Sequence, residues 1–217
     1  GGITVMALNT LPAGAFADSA ITSAKINLAN NFAFTGTVTG ASDIAFIQQY
    51  TWTGVDNFQI ARTFSDFEVY KLFFYDVQFA SDAVNLNFDV SADSGSNYAQ
   101  YNKKTCGYKN NRGNSDNNPS DTIYGVTGTA AQKIADNCGG NDSAETHNFE
   151  ATFYNLNHAN RYTNIFFNNS FSRTGDYSEM GLVHMMVLQD VAINALKWTT
   201  ASGNFSGTAE LFGVKST

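Results

Sequence analysis

Proline and cysteine are nearly missing from this chain, with two of each in 217 residues. Charge is scarce as well: Asp, Glu, Lys and Arg together make up 14%, and 12 basic residues face 19 acidic ones for a net charge of −7. That balance argues against a nucleic-acid partner, because neutralising phosphates needs a basic face. The largest basic cluster, Lys103, Lys104, Lys109 and Arg112, reads as a solvated loop. No apolar run approaches the ~18–20 residues that a bilayer-spanning helix requires, so no membrane insertion is expected. Three histidines, His147, His158 and His184, show neither HxH nor HExxH spacing, and none sits beside Ser or Cys in a nucleophile motif. Two cysteines are too few for a thiolate metal site. No cofactor and no metal are expected.

What the chain has in abundance is aromatic residues: 18 Phe and 10 Tyr, with apolar residues at 43%. Asn and Gly supply the turns. Many aromatics, many turn formers and few helix-forming charges point to an all-β domain. Cys106 and Cys138 both lie in loop-like sequence, "KKTCGYKN" and "ADNCGGND". Two readings stand open: a disulfide clipping a long polar excursion, which is sensible outside the cell, or two unrelated thiols.

Period-2 alternation is clearest in "DAVNLNFDVS", with Val84, Leu86, Phe88 and Val90 on one face and Asn85, Asn87 and Asp89 on the other. "FEVYKLFFYDVQF" puts Tyr70, Leu72 and Phe74 together, and "ASD" makes the turn between the two strands. "HNFEATFYNL" aligns Phe149, Ala151 and Phe153; "RYTNIFFNNSF", "MGLVHMMVLQDV", "INALKWTT" and "GTAELFGV" follow. Seven or more strands with Asn/Gly-rich turns read as an antiparallel β-sandwich, jelly-roll-like, over residues 43–217. Residues 92–121 read as a long polar loop with a short strand between Tyr98 and Tyr108. "AAQKIADNCGG" has room for one helical turn ending at its glycines.

The first 42 residues form a different region. "ADSAITSAKINLANNFAFTGTVTG" is built from Ala, Ser, Thr, Asn and Gly, with Asp18 as a helix N-cap and "FAFTGTVTGA" as extended chain. "GGITVMALNTLPAGAFADSA" lacks a basic leader and an adequate apolar stretch, so it is not read as a signal peptide. The missing initiator Met suggests trimming or a fragment. Burying Ile21, Ile26, Leu28, Phe32 and Phe34 contributes on the order of 10 kcal/mol, at ~2 kcal/mol each. Ordering the roughly 20 residues that carry them costs about 1–2 kcal/mol apiece. The segment therefore needs partner chains, and an assembly or anchor role in a homo-oligomer, a trimer, is expected.

Individual site motifs are weak. Asp89, Ser91 and Asp93 alternate before Gly95, but the glycine and the twelfth position, Gln100, do not suit a calcium loop. Asp66 with Glu68 and Asp142 with Glu145 are the nearest carboxylate pairs for glycoside hydrolysis, without specific spacing. Tyr98, Tyr101, Tyr108 and Arg112 mark a receptor-facing loop able to stack on sugar rings; the alternative is that the tyrosines pack this loop against the sandwich.

"LPAGAFADSAITSAKI…FTGTVTGA" resembles shaft or anchor segments of phage tail fibres. "FEVYKLFFYDVQFASDAVNLNFDVSADSGSNY" and "INALKWTTASGNFSGTAELFGV" resemble the first and last strands of a β-sandwich module of marine phage structural proteins. The resemblance covers residues 17–100 and 192–214 and carries no catalytic residue. It implies a non-enzymatic virion protein, a tail fibre or capsid-attached fibre, that contacts other virion proteins and a host-surface glycan. A free carbohydrate-binding module and a capsid decoration protein are the alternatives.

Overall fold

Alternating apolar and polar residues, with turn formers between them, become twelve strands and no helix among the residues that the computed structural model describes: 44–112, 120–140, 142–173 and 177–214. The expectations for residues 1–42, including Ile21, Ile26, Leu28, Phe32 and Phe34, lie outside these residues. The strands are β1 (Ile44–Val55), β2 (Asn57–Ala61), β3 (Val69–Phe79), β4 (Val84–Ser91), β5 (Lys103–Arg112) and β6 (Ser120–Gly128). Then come β7 (Gln132–Cys138), β8 (His147–Tyr154), β9 (Thr163–Arg173), β10 (Tyr177–Val187), β11 (Ala195–Thr200) and β12 (Phe205–Val214).

The pairing nests: β1 with β12, β2 with β11, β3 with β8 and β4 with β7, all antiparallel. The two sheets are ordered β1-β12-β3-β8 and β2-β11-β4-β7, which is a jelly roll. Two hairpins are inserted in it, β5–β6 between β4 and β7, and β9–β10 between β8 and β11. Together they extend the first sheet past β8 in the order β9-β10-β5-β6. The sheets touch along one edge, where Cys138 of β7 pairs with Arg173 of β9. At the opposite side the chain passes from β1 to β2 at Asp56, just after Gly54 near the end of β1; the Gly54 φ of 61° is one that only glycine adopts without strain.

Aromatic rings fill the space between the sheets. Phe74 of β3 meets Trp198 of β11 at 5.0 Å and stacks on Phe149 of β8 at 4.0 Å. Phe88 of β4 meets Phe167 of β9 at 5.1 Å and Trp198 at 4.9 Å. Tyr70, Leu72 and Phe74 are buried on one face, as their alternation requires. A bulge between Phe74 and Val77 then resets the phase. Tyr75 and Asp76 both face solvent, and Val77 and Phe79 return to the core.

Three expectations are corrected. The stretch 92–121 is a loop only as far as Asn102; Lys103–Arg112 and Ser120–Gly128 are paired strands. "AAQKIADNCGG" holds a strand, not a helical turn, because Gln132, Ile134 and Cys138 bury their side chains against the sandwich. The basic cluster is not a solvated loop. Lys103 is fully buried on Asp89, which the strand pattern had placed on the polar face, and its Nζ also donates to the Thr129 carbonyl at 2.7 Å. The start of β5 and the 92–102 loop cover that face of β4. Burial pushes the Asp89 carboxyl up and the Lys103 amine down from their ordinary values.

Candidate functional site

The outer face of the extended sheet carries a groove of about 630 Å³ across β8, β9, β10 and β5. Strand register builds it in two rows. His184 of β10 lies opposite Cys106 of β5 and Phe166 of β9, and Phe166 lies opposite Thr152 of β8. One step along, Leu182 lies opposite Tyr108 and Asn168, and Asn168 opposite Glu150. All eight side chains point away from the core, because their strand neighbours Phe167, Val183 and Thr105 point into it. Phe166 and Leu182 are about half exposed, at 48% and 51%, which is unusual for such large apolar groups in adjacent positions.

A chain of polar contacts runs through the first row. The Asn164 amide nitrogen donates to the Tyr162 carbonyl at 3.1 Å, which turns its oxygen toward His184 Nε2 at 3.0 Å. His184 Nδ1 then faces the Cys106 sulfur at 4.0 Å. Phe166 stacks on the imidazole, with ring centres 4.5 Å apart and planes 22° apart, and is itself met edge-on by Tyr154.

The residues singled out from the sequence are dispersed. Tyr98 is buried: its hydroxyl donates to Gln59 Oε1 at 3.0 Å, and Lys197 Nζ lies 4.1 Å from its ring centre. Tyr101 packs against the core cluster. Both pack against the sandwich, as the packing alternative expects. The loop that carries them is tied down by Asp93, which accepts from the Ser91 hydroxyl at 2.5 Å and from the Asn97 amide groups at 2.9 and 2.6 Å. Those bonds hold its carboxyl down at about 2. Of the three whose side chains are described, Tyr108 alone reaches the groove; Arg112 ends β5, and its side chain is outside the described residues.

Cys106 and Cys138 are not joined. Cys106 is exposed on the outer face of β5, whereas Cys138 is buried at the end of β7 opposite Val84, so their side chains belong to different surfaces. The carboxylate pairs are used locally: Glu68 meets His158 at 2.8 Å, and Asp142 and Glu145 cap one turn. Asp89 and Asp93 serve separate hydrogen-bond networks.

Sequence reading missed Phe166, Leu182 and Asn164. The signal was present: "NIFFNN" and "GLVHMMV" are apolar on both strand faces, where a half-buried strand has one. No protein-family model, no curated protein and no solved structure matches this chain.

Proposed function

We propose that the protein is a structural component of a phage virion, a tail fibre or capsid-attached fibre. Its jelly roll faces outward, and residues 1–42 join it to its own copies, as a trimer, or to the particle. One observation supports this reading above the others. The two stretches that resemble the virion module, far apart in sequence, fold against each other. β3 and β4 come from the first and β11 and β12 from the second; β12 pairs with β3, and β11 with β4. They thus form one contiguous unit at the centre of both sheets. Viral capsid domains use the jelly roll too, although a fold alone assigns no function. Immunogold electron microscopy of purified particles tests the proposal: label at the tail or shell supports it, and particles that lack the protein overturn it. Mass measurement of the full chain against one beginning at Ser42 tests the assembly role, with a monomer in both cases counting against it.

A free carbohydrate-binding module is the second reading. It is favoured by the groove, where exposed Phe166 lies beside Glu150 and Asn168 with exposed Tyr154 next to it. A monomer that binds glycans unchanged after loss of residues 1–42 would select this reading over the first.

A further inference from the structure

We infer that the groove is an acyl-transfer site, with Cys106 as nucleophile, His184 as its base and Asn164 as the residue that positions the base. The ligand class is an activated acyl group, an ester or thioester, with an apolar chain. Tautomer logic carries the argument. The Tyr162 carbonyl accepts only, so the Asn164 amide must present its NH₂ there and its oxygen to His184. That oxygen also accepts only, so the neutral imidazole carries its proton on Nε2. The Nδ1 lone pair is then left facing the Cys106 sulfur, 4.0 Å away. Stacking on Phe166 fixes the ring plane. Nucleophile, base and orienting amide are the three parts that recur on unrelated folds, and nucleophile–base contacts are commonly long without substrate.

The surroundings fit an acyl chain. Cys106 is exposed in the groove, and Phe166, Leu182 and Tyr108 offer an apolar bed beside it. Asn168 and Tyr108 flank Leu182 in the neighbouring row and give the far end of the groove a polar margin. In the reaction His184 Nδ1 takes the thiol proton and sulfur attacks the acyl carbon. A carbon–sulfur bond forms and the bond to the leaving oxygen or sulfur breaks. The leaving group takes the proton from His184, so the products are S-acyl-Cys106 and an alcohol or thiol. No oxidant or reductant enters.

The test treats the full chain with 4-nitrophenyl acetate and 4-nitrophenyl octanoate, with glutathione as reference thiol. Nitrophenolate release gives the rate, and peptide mass spectrometry gives the site. We expect acylation of Cys106 about 100-fold faster than of glutathione at pH 7. The octanoate-to-acetate rate ratio should exceed that of glutathione, and buried Cys138 should stay unlabelled. His184→Gln should return the rate to that of glutathione. Asn164→Ala should lower the rate toward that of glutathione, and Asn164→Asp, which keeps an acceptor oxygen for His184 Nε2, should restore most of it; a merely structural role would not be rescued by the acceptor alone. A wild-type rate within about tenfold of glutathione overturns the proposal without need of any variant, as does a His184→Gln chain as fast as wild type. An equal chain-length ratio overturns the apolar ligand class. The inference does not rest on the virion reading: an inert thiol in a particle-bound protein sinks only this proposal, and a reactive thiol in a protein absent from particles sinks only the other.

Discussion

The eight nested strands and the two inserted hairpins solve the burial problem differently. Between the nested sheets the inward side chains are rings and aliphatics, from Trp52 through Phe74, Phe88 and Trp198. On β5 and β10 the inward positions include Lys103, Thr105, Lys109 and Glu179. Lys103 lies on Asp89 of β4, and Thr105 and Lys109 lie against the edge strand β7, so these positions meet polar partners. Thr105 donates to Gln132 at 3.2 Å, and Lys109 reaches Asp136 at 2.5 Å and Glu179 at 3.8 Å. Burial pushes Asp136 up, but the hydrogen bonds from Lys109 and Lys133 outweigh it and hold the carboxyl below its usual range. The nested strands thus obtain stability from area, and the hairpins obtain their position from directional pairs. A hairpin so held can carry large apolar groups and a thiol on its outer face without those groups being needed for folding.

The largest test of this contrast lies in the core. Trp198→Ala should cost about 3–5 kcal/mol in denaturant unfolding, because Trp198 is fully buried and meets three rings, Phe58, Phe74 and Phe88. A cost below 1 kcal/mol would mean that the sheets collapse around the loss. The ion pair should behave in the opposite, non-additive way. Lys103→Met strands Asp89 and should cost about 3 kcal/mol, whereas Lys103→Met with Asp89→Leu should recover most of it. Equal losses in the single and double variants would show that the pair itself, not the stranded charge, sets the stability.

His147 probes the seam between the two sheets. Its Nε2 donates to the Gly139 carbonyl at 2.7 Å, and its Nδ1 accepts from the Ser172 amide at 3.2 Å. Burial holds the imidazole below its ordinary 6.5. Below 6.5 the unfolded chain therefore binds a proton that the folded chain does not. The stabilisation is full above 6.5 and is lost as pH falls through the folded value, with a slope of up to about 1.4 kcal/mol per pH unit. Urea midpoints from pH 7 to pH 5 check this, and His147→Gln should flatten the profile. The smallest effect belongs to Ala83, in the turn joining β3 to β4, with φ at 58°. Ala83→Gly should stabilise by about 0.5–1 kcal/mol, read as a rise in melting temperature.

Strands whose two faces differ were legible in advance. Tyr70, Leu72, Phe74 and the alternate residues from Val84 to Val90 faced inward as read, because one solvated face leaves a period of two. Reading failed where a strand had no such contrast. β5, "KKTCGYKNNR", looks like a loop, since its buried positions hold Lys103 and Thr105. β7 looked like a helical turn because Gly139 and Gly140 follow it as they would follow a helix end. Asp89 looked solvated because nothing local reveals that a later strand covers it.

The order of alternating strands, the wealth of rings and the lack of helix formers determined by themselves that residues 43–217 are an antiparallel β-sandwich, since in strands such as β3, β4 and β8 the pattern itself states which face must leave water. Pairing between distant strands decided the rest. It placed His184 opposite Cys106, turned Asn164 toward the imidazole, kept Cys138 apart from Cys106 and buried Lys103 on Asp89. Those relations depend on register across β5, β9 and β10, and register is set by the packing of the whole sandwich, which no single segment contains.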